Sequence, residues 1–150
     1  MDIPPDLFLT ASPHNRDLQL ELITVGKGSA TVCMPYQEKL VGNTETGVIA
    51  GGAVTTVMDS VCGVAVYTAM PVPMAIATLD LRIDYMKPAT PHKAILVTAE
   101  CYRLSRHVAF VRAIAYHDDP AEPIANATAA FSVSNVPLAN MVAKHGGDTE

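Results

Sequence analysis

Between residues 46 and 66 the chain reads TGVIAGGAVTTVMDSVCGVAV, apolar or small at nearly every position, with one carboxylate, Asp59, in its middle. A run of this length predicts a helix from about Ala50 to Met70. No face of it is obviously polar, the pattern of a helix enclosed on nearly all sides. After it the period drops to two. In ATLDLRIDYM, Ala77, Leu79, Leu81, Ile83 and Tyr85 share one face, and Thr78, Asp80, Arg82, Asp84 and Met86 the other, the alternation of a half-buried strand. HKAILVTAECYRL and HVAFVRAIAYH are two more extended runs meeting at Ser105-Arg106. HDDPAEP turns the chain, and IANATAAFSVS alternates again, with Ala125, Ala127, Ala129, Phe131 and Val133 on one side. Ahead of the helix, LQLELITVGKGSATVCMPY reads as a β-hairpin turning at Gly26-Lys27-Gly28, and QEKLVGNTETG as a loop. ASPHNRDL predicts a short helix with Ser12 as cap and Pro13 in its first turn.

The order is short helix, two strands, one long helix, four strands. Helices and strands do not alternate, so the class is α+β with an antiparallel sheet rather than a parallel βαβ fold. One helix covers a flat sheet of about six strands only if the sheet curls around it, and the Ala-rich strand faces allow close approach. The chain, residues 1–150, reads as one domain with its core at about 13–135 and a tail, 136–150, that frays. The other face of the sheet is moderately apolar and uncovered, which predicts an oligomer.

Composition narrows the function. A chain with 49% hydrophobic and 17% charged residues folds rather than stays disordered. The net charge of −5, with scattered basic residues, gives no footprint for nucleic acid. Cys33, Cys62 and Cys101 are too few and too dispersed for a disulfide framework or a zinc site. MDIPPDLFLT lacks the basic and apolar regions of a signal peptide, so a cytoplasmic protein is expected. The central Asp59 and three glycines argue against a membrane span. No phosphate-binding loop, dinucleotide fingerprint or nucleophile elbow is present, so neither cofactor nor metal is expected. HDDP at 117–120 reads as turn chemistry, and Cys62 as a small core residue.

TGVIAGGAVTTVMDSVCG at the helix and ATLDLRIDYMKPA after it carry a resemblance, supported by RHVAFVRAIAY and IANATAAFSV. Over about Pro13 to Val133 the chain resembles the hotdog-fold acyl-CoA thioesterases of the phenylacetate-pathway (PaaI-like) group. The resemblance implies a curved antiparallel sheet wrapped around one central helix, and hydrolysis of an acyl- or aroyl-CoA. In that family the helix opens with His-Gly-Gly, and a carboxylate lies seven residues past the last glycine. Here these match Gly51, Gly52 and Asp59, while Ala50 stands where the family has His. The resemblance implies that the Gly51 N–H polarises the thioester carbonyl and that Asp59 activates water or attacks. It also implies that Asn43 or Thr44 positions the water and that Thr78 reaches the site from the following strand.

The chemistry stands on its own terms as well. A helix N-terminus offers unpaired N–H groups and the positive end of its dipole to a developing oxyanion. Asp59 lies roughly 12 Å further along the axis at ~1.5 Å per residue, too far to act on a carbonyl held at Gly51 of its own chain. Combined with the family's dimeric architecture, this predicts a site shared between subunits of a homodimer, or of a tetramer of paired dimers. Lys87 with Lys93, and Arg106 with His107, are candidates for the coenzyme A phosphates. Met58, Val61, Cys62, Tyr67 and Met70 are candidates to set the size of the acyl pocket. A structural role for Asp59, bonded to backbone or hydroxyl groups, is the plainer alternative. At the level of function the alternatives are a non-catalytic acyl-CoA-binding or regulatory protein, motivated by Ala50, and, more weakly, a hotdog dehydratase.

Overall fold

The computed structural model describes residues 3–145. The chain forms α1 (Pro5–Thr10), α2 (Pro13–Asp17), β1 (Glu21–Gly26), β2 (Ser29–Met34), β3 (Val41–Asn43), β4 (Val48–Ile49), α3 (Gly51–Ala69), β5 (Met74–Tyr85), β6 (Ile95–Leu104), β7 (Val108–Tyr116), β8 (Ala125–Pro137) and α4 (Leu138–His145). Six strands make one antiparallel sheet in the order β1-β2-β6-β7-β8-β5, with α3 packed across it. This is the α+β hotdog arrangement expected from the sequence.

Why the sheet can close on the helix is visible in its side chains. Ala99, Ala109, Ala113, Ala115, Ala125, Ala127 and Ala129 all point inward and are buried, as is Val111 among them. Small residues there let α3 approach. From α3 they meet Val57, Val61, Val64, Ala65 and Val66, all 0% exposed. Each valine so buried contributes about 1.5–3 kcal/mol relative to exposure. By length and composition α3 would suit a membrane span, yet most of it is enclosed by its own sheet.

The enclosure is incomplete, which corrects the expected all-round burial. Residues 61–67 are buried without exception, whereas Gly51 and Gly52 are exposed and Thr55, Thr56, Asp59 and Ser60 are half-buried. These positions recur at three and four residues and so share one face. Asp59 lies on a wet stripe.

The expected faces of β5 also need correcting. Leu81, Ile83 and Tyr85 pair with Ala129, Ala127 and Ala125 on the inner face, as predicted, but the register shifts between Thr78 and Asp80, leaving Leu79 as an extra residue. Such a bulge reverses the alternation beyond it. Thr78 therefore pairs with inward-facing Phe131, and Leu79 is 60% exposed.

Two short elements replace expected loops, and one helix was not foreseen. The segment 37–47 contains a 3-10 turn (Glu38–Leu40) and β3, which pairs with β4. α1 precedes the expected α2, and its Phe8 stacks on Tyr67 with ring centroids 4.5 Å apart. Ser12 stands at the N-cap of α2, but its side chain makes no capping bond. Residues 136–145, expected to fray, continue as the end of β8 and α4; residues 146–150 of that tail lie outside the described residues.

β3 fixes the start of α3. The Ala50 N–H donates to Leu40 O at 2.8 Å. A Cβ on Gly42 would lie 2.9 Å from Ala50 Cα, a contact only a displaced backbone relieves. Gly42→Ala is therefore expected to destabilise the fold by about 1–3 kcal/mol, read as a lower urea midpoint.

Candidate active site

Helix α3 presents two chemically different places along its open stripe. The first is its N-terminus. Ala50 is the N-cap and has no side-chain oxygen to cap the first turn, so the N–H groups of Gly51 and Gly52 are left for an outside acceptor. Own-chain packing does not demand either glycine. A Cβ at Gly52 would meet nothing within 4 Å, and one at Gly51 would make ordinary contact with Tyr85 at 3.5 Å. The Tyr85 hydroxyl lies 2.8 Å from Gly51 O and 2.7 Å from Thr55 Oγ1, itself 3.0 Å from Gly51 O. With one hydrogen each, one of the two hydroxyls donates to Gly51 O and the other to its neighbouring hydroxyl. Tyr85 thus ties the helix tip to the end of β5. Beside the tip runs a groove of about 400 Å³ lined mainly by Val48, Ile49, Val54, Met86 and Ile124, with Lys87 among its lining residues.

The second place is Asp59. Thr78, turned inward by the bulge, donates its Oγ1 hydrogen to Asp59 Oδ1 at 2.8 Å. Among the described residues no other group bonds to this carboxylate, so Oδ2 is uncommitted. A cavity of about 520 Å³ opens there, walled by α2, α3 and β5. Its wall is polar, with Ser12, His14, Asn15, Thr55, Thr56, Ser60 and Thr78 beside Asp59 and a single apolar side chain, Leu81. Ser60 Oγ donates to Asn15 Oδ1 at 3.0 Å, and Asn15 Nδ2 donates to Leu9 O at 2.8 Å. That chain of bonds fastens the N-terminal helices over the stripe.

Of the residues singled out from sequence, the structure joins Asp59 to Thr78 and places Gly51 and Gly52 at the free helix tip. Asn43 and Thr44 lie in an exposed turn, where Asn43 Oδ1 accepts the Glu45 N–H at 3.0 Å; they touch neither Asp59 nor the tip glycines. Lys87 follows Tyr85 at the helix-tip end and pairs with Glu122 at 3.5 Å, and Lys93 pairs with Asp118 at 3.1 Å. Arg106 and His107 sit in the β6–β7 turn at the opposite end of the sheet, where His107 O accepts the Val133 N–H. The basic candidates therefore do not cluster within one chain. Met58, Val61, Cys62, Tyr67 and Met70, expected to size the acyl pocket, face the core instead and line neither the cavity nor the groove. His14, Asn15 and Tyr85 were not singled out. Their only sequence signal, polar groups flanking a short helix and a strand end, is too common to stand out.

His117 of the HDDP turn spends both nitrogens on backbone. Nε2 accepts the Thr90 N–H, and Nδ1 lies 2.8 Å from Ala94 O. Cys62 is wholly buried one turn beyond Asp59. Burial, and secondarily the Asp59 charge, push its thiol up to about 12. The neutral thiol therefore dominates at every lower pH, and Cys62 is no nucleophile. Alkylation by iodoacetamide at about pH 8, followed by mass spectrometry, is expected to leave Cys62 unlabelled in the native protein and labelled in denaturant.

Comparison with known proteins identifies the family and the fold. The family model described as "Thioesterase superfamily" matches residues 46–124. The medium/long-chain acyl-CoA thioesterase YigI of Salmonella typhimurium is 28% identical over 141 residues, covering 85% of this chain and 90% of that protein. A Pseudomonas aeruginosa protein of known crystal structure is 43% identical, with a TM-score of 0.79, covering 87% of this chain and 96% of that one. The Escherichia coli PaaI protein of the phenylacetic acid degradation operon superposes with a TM-score of 0.75 at 14% identity, covering 84% and 87% of the two chains, a likeness of fold.

Proposed function

The chain belongs to the thioesterase superfamily, and we propose that it hydrolyses an acyl-CoA in a site shared by two subunits, with Asp59 of one acting on a carbonyl held by the helix tip of the other. The observation that carries this reading is the pair of ties along β5. Thr78 holds Asp59 and Tyr85 holds Gly51. β5 is one of the two edge strands of the sheet, with no second neighbour among the described residues. Its exposed apolar residues Leu79 and Tyr85 make it a template for strand addition.

If β5 pairs antiparallel with β5 of a second copy, centred on Arg82, the extra residue at Leu79 brings Thr78 of one strand beside Tyr85 of the other. Asp59 then faces the free Gly51 and Gly52 N–H groups across the seam. The carbonyl oxygen takes the Gly51 N–H. Asp59 Oδ2 removes a proton from water as the water oxygen attacks the carbonyl carbon. The positive end of the α3 dipole stabilises the oxyanion, and collapse expels the thiolate.

The apolar groove beside Gly51 suits the acyl chain, in keeping with the medium/long-chain activity in the name of the YigI relative. The thioester sulfur and pantetheine then run into the polar cavity of the other subunit, towards the end of the sheet that bears Arg106 and His107. Lys87, at the groove end and paired with Glu122, is less suited to the phosphates than those two. Asn43 and Thr44 remain candidates to order the water only across the same seam. The uncovered outer face of the sheet offers a second surface, for a dimer of dimers. A cytoplasmic location remains part of this reading.

Thiol release from short, medium, long and aromatic CoA esters tests the reaction. Turnover is expected to peak with the longer acyl chains and to vanish in Asp59→Asn with the circular dichroism spectrum retained. Micromolar binding by calorimetry without turnover would establish the non-catalytic alternative instead. Gly51→Pro removes the N–H at the one helical position where proline is well tolerated, and its loss is expected to cost about 2.7–4 kcal/mol of transition-state stabilisation, roughly 10²–10³ in kcat. Mixing this variant with Asp59→Asn restores one intact site per heterodimer if the site is shared. A mixture no more active than its parents rules the sharing out.

A further inference from the structure

The cavity at Asp59 contains a second acid–base side chain. Of its nine lining residues only Asp59 and His14 carry a carboxylate or an imidazole, and His14 arrives from α2, outside the strand-and-helix frame that holds the other groups. Its Nε2 lies 3.2 Å from Thr56 Oγ1. Thr56 has one hydroxyl hydrogen, which it donates to Gly52 O at 3.0 Å, so the hydrogen at the His14 contact belongs to Nε2. The ring is thereby held with Nε2 as donor, and Nδ1 has no partner among the described residues.

The other protons in the cavity are committed. Thr78 donates to Asp59 and Ser60 to Asn15. The hydroxyls of Thr55 and Tyr85 are spent between themselves and Gly51 O, whichever of the two donates to the other. Asn15 donates to Leu9 O. Ser12 is too weak an acid to surrender its hydrogen. Apart from Asp59, which the attacking water protonates, a departing thiolate in this cavity therefore has one group from which to take a proton.

We propose that His14 is the general acid of the reaction, giving its Nδ1 proton to the leaving sulfur. The proposal rests on the thioesterase reading above. In the step His14 enters as the imidazolium, protonated on both nitrogens. The C–S bond breaks, its electron pair goes to sulfur, and the S–H bond forms with the proton from Nδ1, leaving a neutral ring with its hydrogen on Nε2. Asp59, protonated by the attacking water, returns that proton to His14, and the product acid releases its own to solvent. One water and one thioester are consumed, and one carboxylate, one thiol and one proton result. Thr56 is the positioning residue, because its acceptance from Nε2 fixes which nitrogen carries the transferable proton. His14 and Thr56 stand 42 positions apart in the chain and meet only through α2. The N-terminal helices thus become part of the reaction rather than a cover for the core.

The test compares wild type, His14→Ala and His14→Gln on two thioesters of the same acid, one of coenzyme A and one of an aryl thiol acidic enough to leave without a proton. Glutamine keeps an N–H for Thr56 but has no titratable nitrogen. Both variants are expected to lose about 10²-fold or more in kcat on the CoA ester and to approach wild type on the aryl ester. Three results overturn the proposal: activity restored by glutamine, an equal loss on both esters, or a rise in KM with kcat unchanged. Asp59→Asn, run alongside, separates the two readings. Asp59-dependent turnover that the His14 variants keep removes the role of His14 alone, whereas a wild type that releases no thiol from either ester removes the hydrolase reading and this proposal together.

Discussion

Thr78 reaches Asp59 only because β5 contains one residue more than its partner needs. With strict alternation Thr78 would face outward with Asp80 and Arg82, and Leu79 would point at the helix. The extra residue at Leu79 reverses the faces, brings a hydroxyl to the carboxylate at 2.8 Å and moves a leucine to the open edge. A hydrogen bond to a charged acceptor is worth about 1.5–3 kcal/mol, enough to help hold a carboxylate on a helix that carries no other charge. It also selects one oxygen, so that the other is free for chemistry.

The same helix serves as core and as site because its two halves are packed differently. Beyond Asp59 the residues 61–67 are sealed by the sheet and by α1. Before it, the stripe through Gly52, Thr55, Thr56 and Asp59 is left open by the sheet and only partly covered by α2. The hydroxyls on that stripe are bonded back to the helix or across to Asn15 and Tyr85, so the open face presents few loose donors. The thiol of Cys62 lies on the sealed side, where burial keeps it neutral. Position along one rod thus decides which groups face the open stripe and which are sealed.

The two ends of the chemistry are separated within a chain and linked by one strand. Tyr85 and Thr78 mark on β5 where the helix tip and the acid lie, and the proposed dimer axis between them would exchange the two. Ala50 matters in this context. With no side-chain oxygen to cap the first turn, it leaves the tip amides free. Gly42, pressed against Ala50, and the Ala50–Leu40 backbone bond set where that tip stands.

Much of this was legible from residue order. The run around Asp59 has one reading as a long helix, and period-two alternation on either side of it specifies strands whose short connections make them antiparallel. One helix and six strands then leave little choice but a sheet wrapped on a rod. Asp59 stood out as a lone carboxylate in an apolar run, and Gly51 and Gly52 could be named with it because they match the motif of the family the chain resembles. What the sequence could not reveal depends on register and on contacts between distant segments. A bulge changes no residue, so the inward turn of Thr78 is invisible until β5 is laid against β8. The wet stripe on α3 exists because the sheet stops short of it, and Thr and Ser on a helix read the same whether buried or open. His14 and Asn15 belong to the site only because α2 folds back over α3, a helix far along the chain from it. Local pattern determined the elements, since it follows from the periods of the backbone, whereas the site was decided by tertiary packing, since its groups meet only once those elements are in place.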